Sequence, residues 1–184
     1  MSTLPNREVS ASRRILFNML SRYIGFKLFI GFVLVGSYFL LPKYGFTFNG
    51  PLINHLLYPL SHANIWHLAA NILCLFMLRC PLHIVATFVC AVLCSFLPCP
   101  QLPLYGGVIE PTMGFSGVLF AMVGISWGKI HRFKDMVWRN KWILIIPAFI
   151  PHINFLIHVY CLLAGYAIGH YKSVLPCVRK SVNS

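Results

Sequence analysis

The feature that most constrains this chain is a succession of apolar runs divided by short polar or Pro/Gly punctuation. Residues 26–42, 64–79 and 82–97 make the first three. A fourth begins near Ser116 and runs to about 127, a fifth starts at Trp142, and a sixth runs from about Phe155 to Tyr171. A helix that crosses a bilayer needs roughly 20 apolar residues, with a range of about 17–25. The fourth and fifth runs fall short, so they start below the membrane surface or are shielded by neighbours. Irregular backbone at membrane depth is tolerated only where protein or a water cavity covers it. The chain is 58% hydrophobic and only 10% charged, against roughly 25% charged residues in soluble domains. The expected fold class is therefore an all-α membrane protein, a six-transmembrane-helix bundle. No internal repeat or low-complexity segment is evident.

Charge sets the direction of the bundle. Fifteen Lys and Arg stand against three Asp and Glu, for a net charge of +12. With six spans, every basic residue except Lys43 falls on one side: before or at the opening of the first span, after the second, between the fourth and fifth, and after the sixth. The positive-inside rule then predicts that both termini are cytoplasmic. The expected organisation is a short basic N-terminal segment at 1–24, a core at 25–172 and a basic tail at 173–184. The basic charge is read as orientation signal and contact with the lipid bilayer. A nucleic-acid partner is not expected, because no basic, aromatic-interleaved module accompanies the charge. The seven cysteines have no paired spacing and lie mostly in apolar runs. They suggest neither a disulfide framework nor a zinc site, and neither metal nor cofactor is expected. The first run is long, and no small-x-small cleavage site with a soluble mature domain follows it, so it reads as a retained helix and not as a signal peptide.

Several polar residues sit where lipid-facing sequence should exclude them. In SHANIWHLAANILCLF, His67 and Asn71 are four apart and share one helix face, with His62 just upstream. Ser116 opens the fourth span, with Gly114 two residues before it and Gly117 directly after. His158 lies near the start of the sixth. The second, fourth and sixth spans run in the same direction in this topology, so these groups lie at one depth beneath the outer surface. Singly, each has a plain reading: a packing serine, a structural histidine, an interhelical hydrogen-bond pair. Jointly they supply a nucleophile, a possible base and two side-chain donors, the parts of acyl-transfer chemistry. Gly124-Ile-Ser-Trp-Gly128 and Gly165-Tyr-Ala-Ile-Gly169 are both GxxxG. Close packing of the fourth and sixth helices through them would bring Ser116 and His158 together.

The combination H62-ANIW-H67-LAA-N71, G114-F-S116-G117, and H158 seven residues before G165 resembles the rhomboid intramembrane serine proteases over roughly residues 55–170. The resemblance implies a six-helix core with a Ser–His dyad. Ser116 would be nucleophile, and His158 general base and then general acid. The Ser116 backbone N–H with the His67 and Asn71 side chains would form the oxyanion hole. Gly114, Gly117, Phe120, Gly124 and Gly165 would give supporting packing, Phe120 standing where a ring usually packs on the catalytic histidine. Substrates would be single-pass or polytopic membrane proteins, cleaved in a transmembrane helix near the outer face, and the membrane a bacterial-type inner (plasma) membrane. The chain departs from the family pattern in four places, the first being Phe120, where the family's more familiar residue is Tyr. Cys161 stands where a glycine is frequent. Loop 43–60 is short and lacks a Trp-Arg pair. Little sequence separates Lys141 from His158, with Pro147 and Pro151 in it, so the fifth helix is expected to be short or bent. Loop 98–113, rich in proline and glycine, reads as an irregular lid or an ordinary connector. The alternatives are a catalytically inactive rhomboid-like binding or trafficking factor, and a small channel or transporter using the polar cluster as its path.

Overall fold

The computed structural model describes residues 6–78, 83–99, 111–129, 133–139, 141, 142, 145 and 153–182. Among them, seven α-helices and one 3₁₀ helix have defined bounds: α1 (Asn6–Leu40), α2 (Leu52–Leu57), the 3₁₀ turn Tyr58–Leu60, α3 (Ile65–Met77), α4 (Ile84–Cys94), α5 (Ser116–Gly128), α6 (Phe133–Arg139) and α7 (Phe155–Val182). The extended pairing among the described residues is an isolated antiparallel bridge between Phe46 and Thr112.

The first span lies in α1 up to Leu40, the second corresponds to α3, the third to α4, the fourth to α5 and the sixth to α7. The fifth lies outside the described residues, apart from Lys141, Trp142 and Ile145, which are helical. The helix bounds differ from the runs in three respects. First, α1 does not begin near residue 26; it is continuous from Asn6, through the stretch expected to be a separate segment. No proline interrupts residues 6–41, and helix propagation costs little once nucleated. Second, α7 does not stop near Tyr171 but continues as helix to Val182. Third, α3 and α4 are 13 and 11 residues long, shorter than their apolar runs. Only Tyr23–Leu40 among the described helices is both long and apolar enough to cross a membrane unaided. Leu52–Leu60 and Ile65–Met77 pass the same test together but are bent by 68°.

The cause of that bend is local. Asn64, extended at φ −153° and ψ 172°, caps α3: its Oδ1 accepts the His67 N–H at 2.9 Å. A capped helix start fixes where the chain turns. Two lysines mark the ends of the α1–α3 pair. Lys27, 3% exposed, donates to the Phe76 and Leu78 carbonyls at the end of α3, where Tyr23 Oη also donates to Leu78 O at 2.9 Å. At the opposite end, Lys43 Nζ donates to Ala63 O at 2.7 Å. The two helices are thus antiparallel, and Lys27 satisfies carbonyls that the helix terminus leaves without intrahelical partners.

The core gathers Leu34, Leu75, Ala91, Val118, Ala121 and Cys161, all fully buried. Outward faces are apolar too: Phe32 is 77% exposed, Leu40 83% and Trp66 81%. The tightest helix pair is α5 with α7. A Cβ on Gly124 would lie 2.2 Å from Leu162 O, and one on Gly165 2.2 Å from Ala121 O. One turn further on, Gly128 would meet Tyr166 O at 2.3 Å and Gly169 would meet Ile125 O at 2.3 Å. Backbone lies against backbone over two turns, which only glycine permits.

Candidate active site

The site begins with the five residues before α5. Thr112 exchanges both backbone hydrogen bonds with Phe46, each at 2.9 Å. The Gly114 N–H donates to Tyr58 O at 2.9 Å, and the Phe115 N–H is directed at His62 Nε2 at 3.5 Å. Tyr58 is itself anchored, donating its hydroxyl to Ala91 O at 2.9 Å. Thr112, Gly114 and Phe115 are thus each tied to another part of the fold, and the start of α5 has little freedom.

Gly114 has φ +122°, a region that side-chain-bearing residues rarely adopt. Any Cβ there would also stand 2.6 and 2.7 Å from His67 Cε1 and Nε2. The glycine therefore makes the turn and gives the His67 imidazole its place against the backbone. Gly117 meets a different limit: its Cβ would lie 3.0 Å from the Tyr58 hydroxyl and 3.3 Å from Cys161 Sγ. Cys161, at the position where a smaller residue is frequent, fills the space under the first turn of α5.

Ser116 is the first residue of α5. N–H groups in a first turn lack intrahelical partners, and the helix dipole makes that end favourable for negative charge. Across the α5–α7 interface, Ser116 Oγ and His158 Nε2 are 2.8 Å apart. Phe120, one turn beyond Ser116, stacks on the His158 ring at 4.5 Å between centroids and 21° between planes. His158 is 5% exposed. Asn71 is buried, and its Nδ2 donates to His67 O at 2.9 Å. His62 and His67 meet edge to face, with centroids 5.3 Å apart.

Ser116, His158, His67 and Asn71 line one cavity of about 490 Å³. Its polar groups cluster around the serine, and its remaining wall is largely apolar, built from Met77, Leu119, Phe120, Val123 and Ile157 among others. Such a cavity suits an apolar chain whose one polar segment must meet the serine. Gly124 and Gly165 lie outside it, in the helix interface that sets its width.

Three residues at or beside this site escaped the sequence reading. Asn154 and Thr112 both line the cavity, joined by Asn154 Nδ2 donating to Thr112 Oγ1 at 3.0 Å. Asn154 precedes His158 by four, the same spacing that singled out His67 and Asn71, so the signal was present. Tyr58 gave none, because its role depends on a contact with α4 far along the chain. Residues 100–110 of the 98–113 loop lie outside the described residues.

This is the site of a helical protein with a serine–histidine pair at the polar end of an apolar cavity. The Rhomboid domain family model matches residues 49–174, and the chain belongs to the rhomboid family. It is accordingly an integral membrane protein. A protein described as a "Putative rhomboid protein", from Acanthamoeba polyphaga mimivirus, is 25% identical over 171 residues, covering 89% of this chain and 96% of the relative. No solved structure matches the chain.

Proposed function

We propose that the chain is an intramembrane serine endopeptidase that cleaves transmembrane-helix substrates near the outer face of the bilayer. The observation that carries this reading is the 2.8 Å approach of Ser116 Oγ to His158 Nε2 inside the apolar cavity. His158 takes the Ser116 proton as the hydroxyl attacks the scissile carbonyl and returns it to the leaving amine as the C–N bond breaks; it then takes a proton from the water that hydrolyses the Ser116 ester and returns it to Ser116. The developing oxyanion is met by the Ser116 backbone N–H and the side chains of His67 and Asn71, at the positive end of the α5 dipole. An extended substrate strand is required, because a helix holds its carbonyls in internal hydrogen bonds.

The orientation belongs to the same proposal. Lys27, the end of α3 and the α5 terminus at Lys129 are placed on the cytoplasmic side, with Lys129 Nζ 3.2 Å from His83 Nε2 at the start of α4. Asn64, Ser116 and Asn154 are placed on the outer side. The exposed apolar faces of α1 and α3 meet lipid. The viral relative lends no support to a bacterial inner membrane.

The test is labelling by a fluorophosphonate probe in detergent, followed by cleavage of a single-pass substrate in bilayers. Wild type should label and cleave. Ser116→Ala and His158→Ala should each lose cleavage by at least about a thousandfold while still inserting. Asn71→Ala should lose about a hundredfold in kcat, the scale of one oxyanion donor. A well-folded wild type that neither labels nor cleaves would point to the non-catalytic binding factor, and full activity in Ser116→Ala would remove the dyad.

A further inference from the structure

His158 and Asn154 each bury one polar atom that has no hydrogen-bond partner: Nδ1 of the histidine and Oδ1 of the asparagine. Both residues are more than nine-tenths buried, His158 being 5% and Asn154 8% exposed. The two atoms are complementary. With Nε2 accepting from Ser116, the ring proton of neutral His158 resides on Nδ1, which is then a donor. Asn154 commits its amide nitrogen to Thr112 Oγ1 at 3.0 Å, so its carboxamide oxygen is the acceptor left over. A buried donor or acceptor left unsatisfied costs about 1–3 kcal/mol, and one link would satisfy both.

Position favours that link. Asn154 stands immediately before α7 and His158 one turn in, four residues apart. Helical side chains lean toward the N-terminus, so His158 leans toward Asn154. The two atoms are not in direct hydrogen-bond contact, yet both residues line the same cavity, which is large enough for water. We propose that Asn154 is a positioning residue for His158, its carboxamide oxygen taking the Nδ1–H through one bridging water. This rests on the Ser116–His158 protease reading. Its effect is twofold. The water fixes the ring tautomer that leaves Nε2 free to accept, and the amide dipole stabilises the imidazolium that forms when Ser116 gives up its proton. Thr112, pinned to Phe46, makes the amide rigid.

The surroundings leave this role open to Asn154. The titratable side chains facing His158 across the cavity are His67 and Cys74 of α3. Cys161 lies three residues further along α7, beside the Tyr58 hydroxyl under Gly117. No Asp, Glu, Lys or Arg lines the cavity among the described residues.

The experiment compares kcat and KM as a function of pH for the purified full chain in lipid-detergent bicelles, with a fluorogenic transmembrane peptide as substrate. The chains compared are wild type, Asn154→Leu and Asn154→Asp. Asn154→Leu should lower kcat about tenfold to a hundredfold with KM little changed. Asn154→Asp places a carboxylate where the amide was, stabilises the imidazolium, and should move the acid limb of the kcat profile to higher pH by about one unit. Should the leucine variant fail to fold, the aspartate profile alone decides. An active wild type whose acid limb is unmoved in Asn154→Asp would overturn the positioning role and leave the protease reading standing. A folded wild type inert toward both peptide and fluorophosphonate would overturn the protease reading itself, and the positioning role with it.

Discussion

At the scale of single residues, the site depends as much on what is missing as on what reacts. Gly114 is required twice, by its φ of +122° and by the His67 ring that any Cβ would strike at 2.6 Å. Gly114→Ala should therefore cost about 2 kcal/mol or more and displace His67 from the cavity wall. The expected outcome is a modest fall in melting temperature with a fall in kcat of more than tenfold. Loss of stability with kcat retained would mean that His67 does not act on the reacting carbonyl. The sequence singled out Ser116, His158, His67 and Asn71 because each is out of place in an apolar run. It passed over Asn154, which sits in a connector where polar residues are ordinary.

At the scale of elements, one contact bears on the site and a second on the stability of the fold. The first is the α5–α7 interface, where four glycines let backbones touch. Gly165→Leu would force the helices apart at Ala121. Overpacking of this kind costs typically 1–3 kcal/mol, and it should also break the 2.8 Å approach of serine and histidine. The check is a lowered melting temperature together with lost fluorophosphonate labelling; labelling at the wild-type rate would show that the first turn of α5 is positioned independently of this interface. The second contact is α2 against the end of α4. His55, buried and outside the spans, has Nδ1 2.9 Å from Ser95 Oγ and stacks on Phe96. Burial pushes its imidazole below the ordinary range of about 6.5, outweighing the opposing hydrogen bonds with Ser95, Gly50 and Thr47. A histidine held neutral binds fewer protons folded than unfolded. Its stabilising effect is therefore present above the unfolded value and is lost as pH falls below about 6.5. Thermal stability should decline from about pH 7 to about pH 5, and His55→Phe should flatten that decline; an unchanged slope in the variant would assign the acid sensitivity elsewhere. The GxxxG pairs are legible in the sequence, because their spacing alone marks a helix face that can pack closely. The α2–α4 contact is not, since a histidine in a short loop carries no mark of the serine it will meet forty residues on.

At the scale of the whole molecule, the distribution of basic residues predicts an arrangement in the bilayer. All basic residues but Lys43 fall on the side assigned to the cytoplasm. Reporters fused in turn to the N-terminus and the C-terminus should both register the cytoplasmic side. A split result would require an odd number of crossings and would put Ser116 and the basic loop 129–141 in a different relation to the membrane. The helices α3, α4 and α5 are each shorter than a bilayer crossing, so the bundle shields their ends or the bilayer thins beside them.

Read alone, the sequence yields the class of the protein and a set of candidate site residues. Apolar runs with few charges restrict a chain to a helical membrane bundle, because only helices and closed barrels satisfy the backbone in lipid. Polar residues within those runs are costly enough to announce themselves. Register and support come from the packing of the helices against one another. That Lys27 closes the carbonyls of α3, that Phe46 pairs with Thr112, and that Asn154 is tied to Thr112 depend on contacts between distant segments. Those contacts are set by packing in three dimensions, and hydrophobic periodicity along the chain does not encode which distant partner each group will meet.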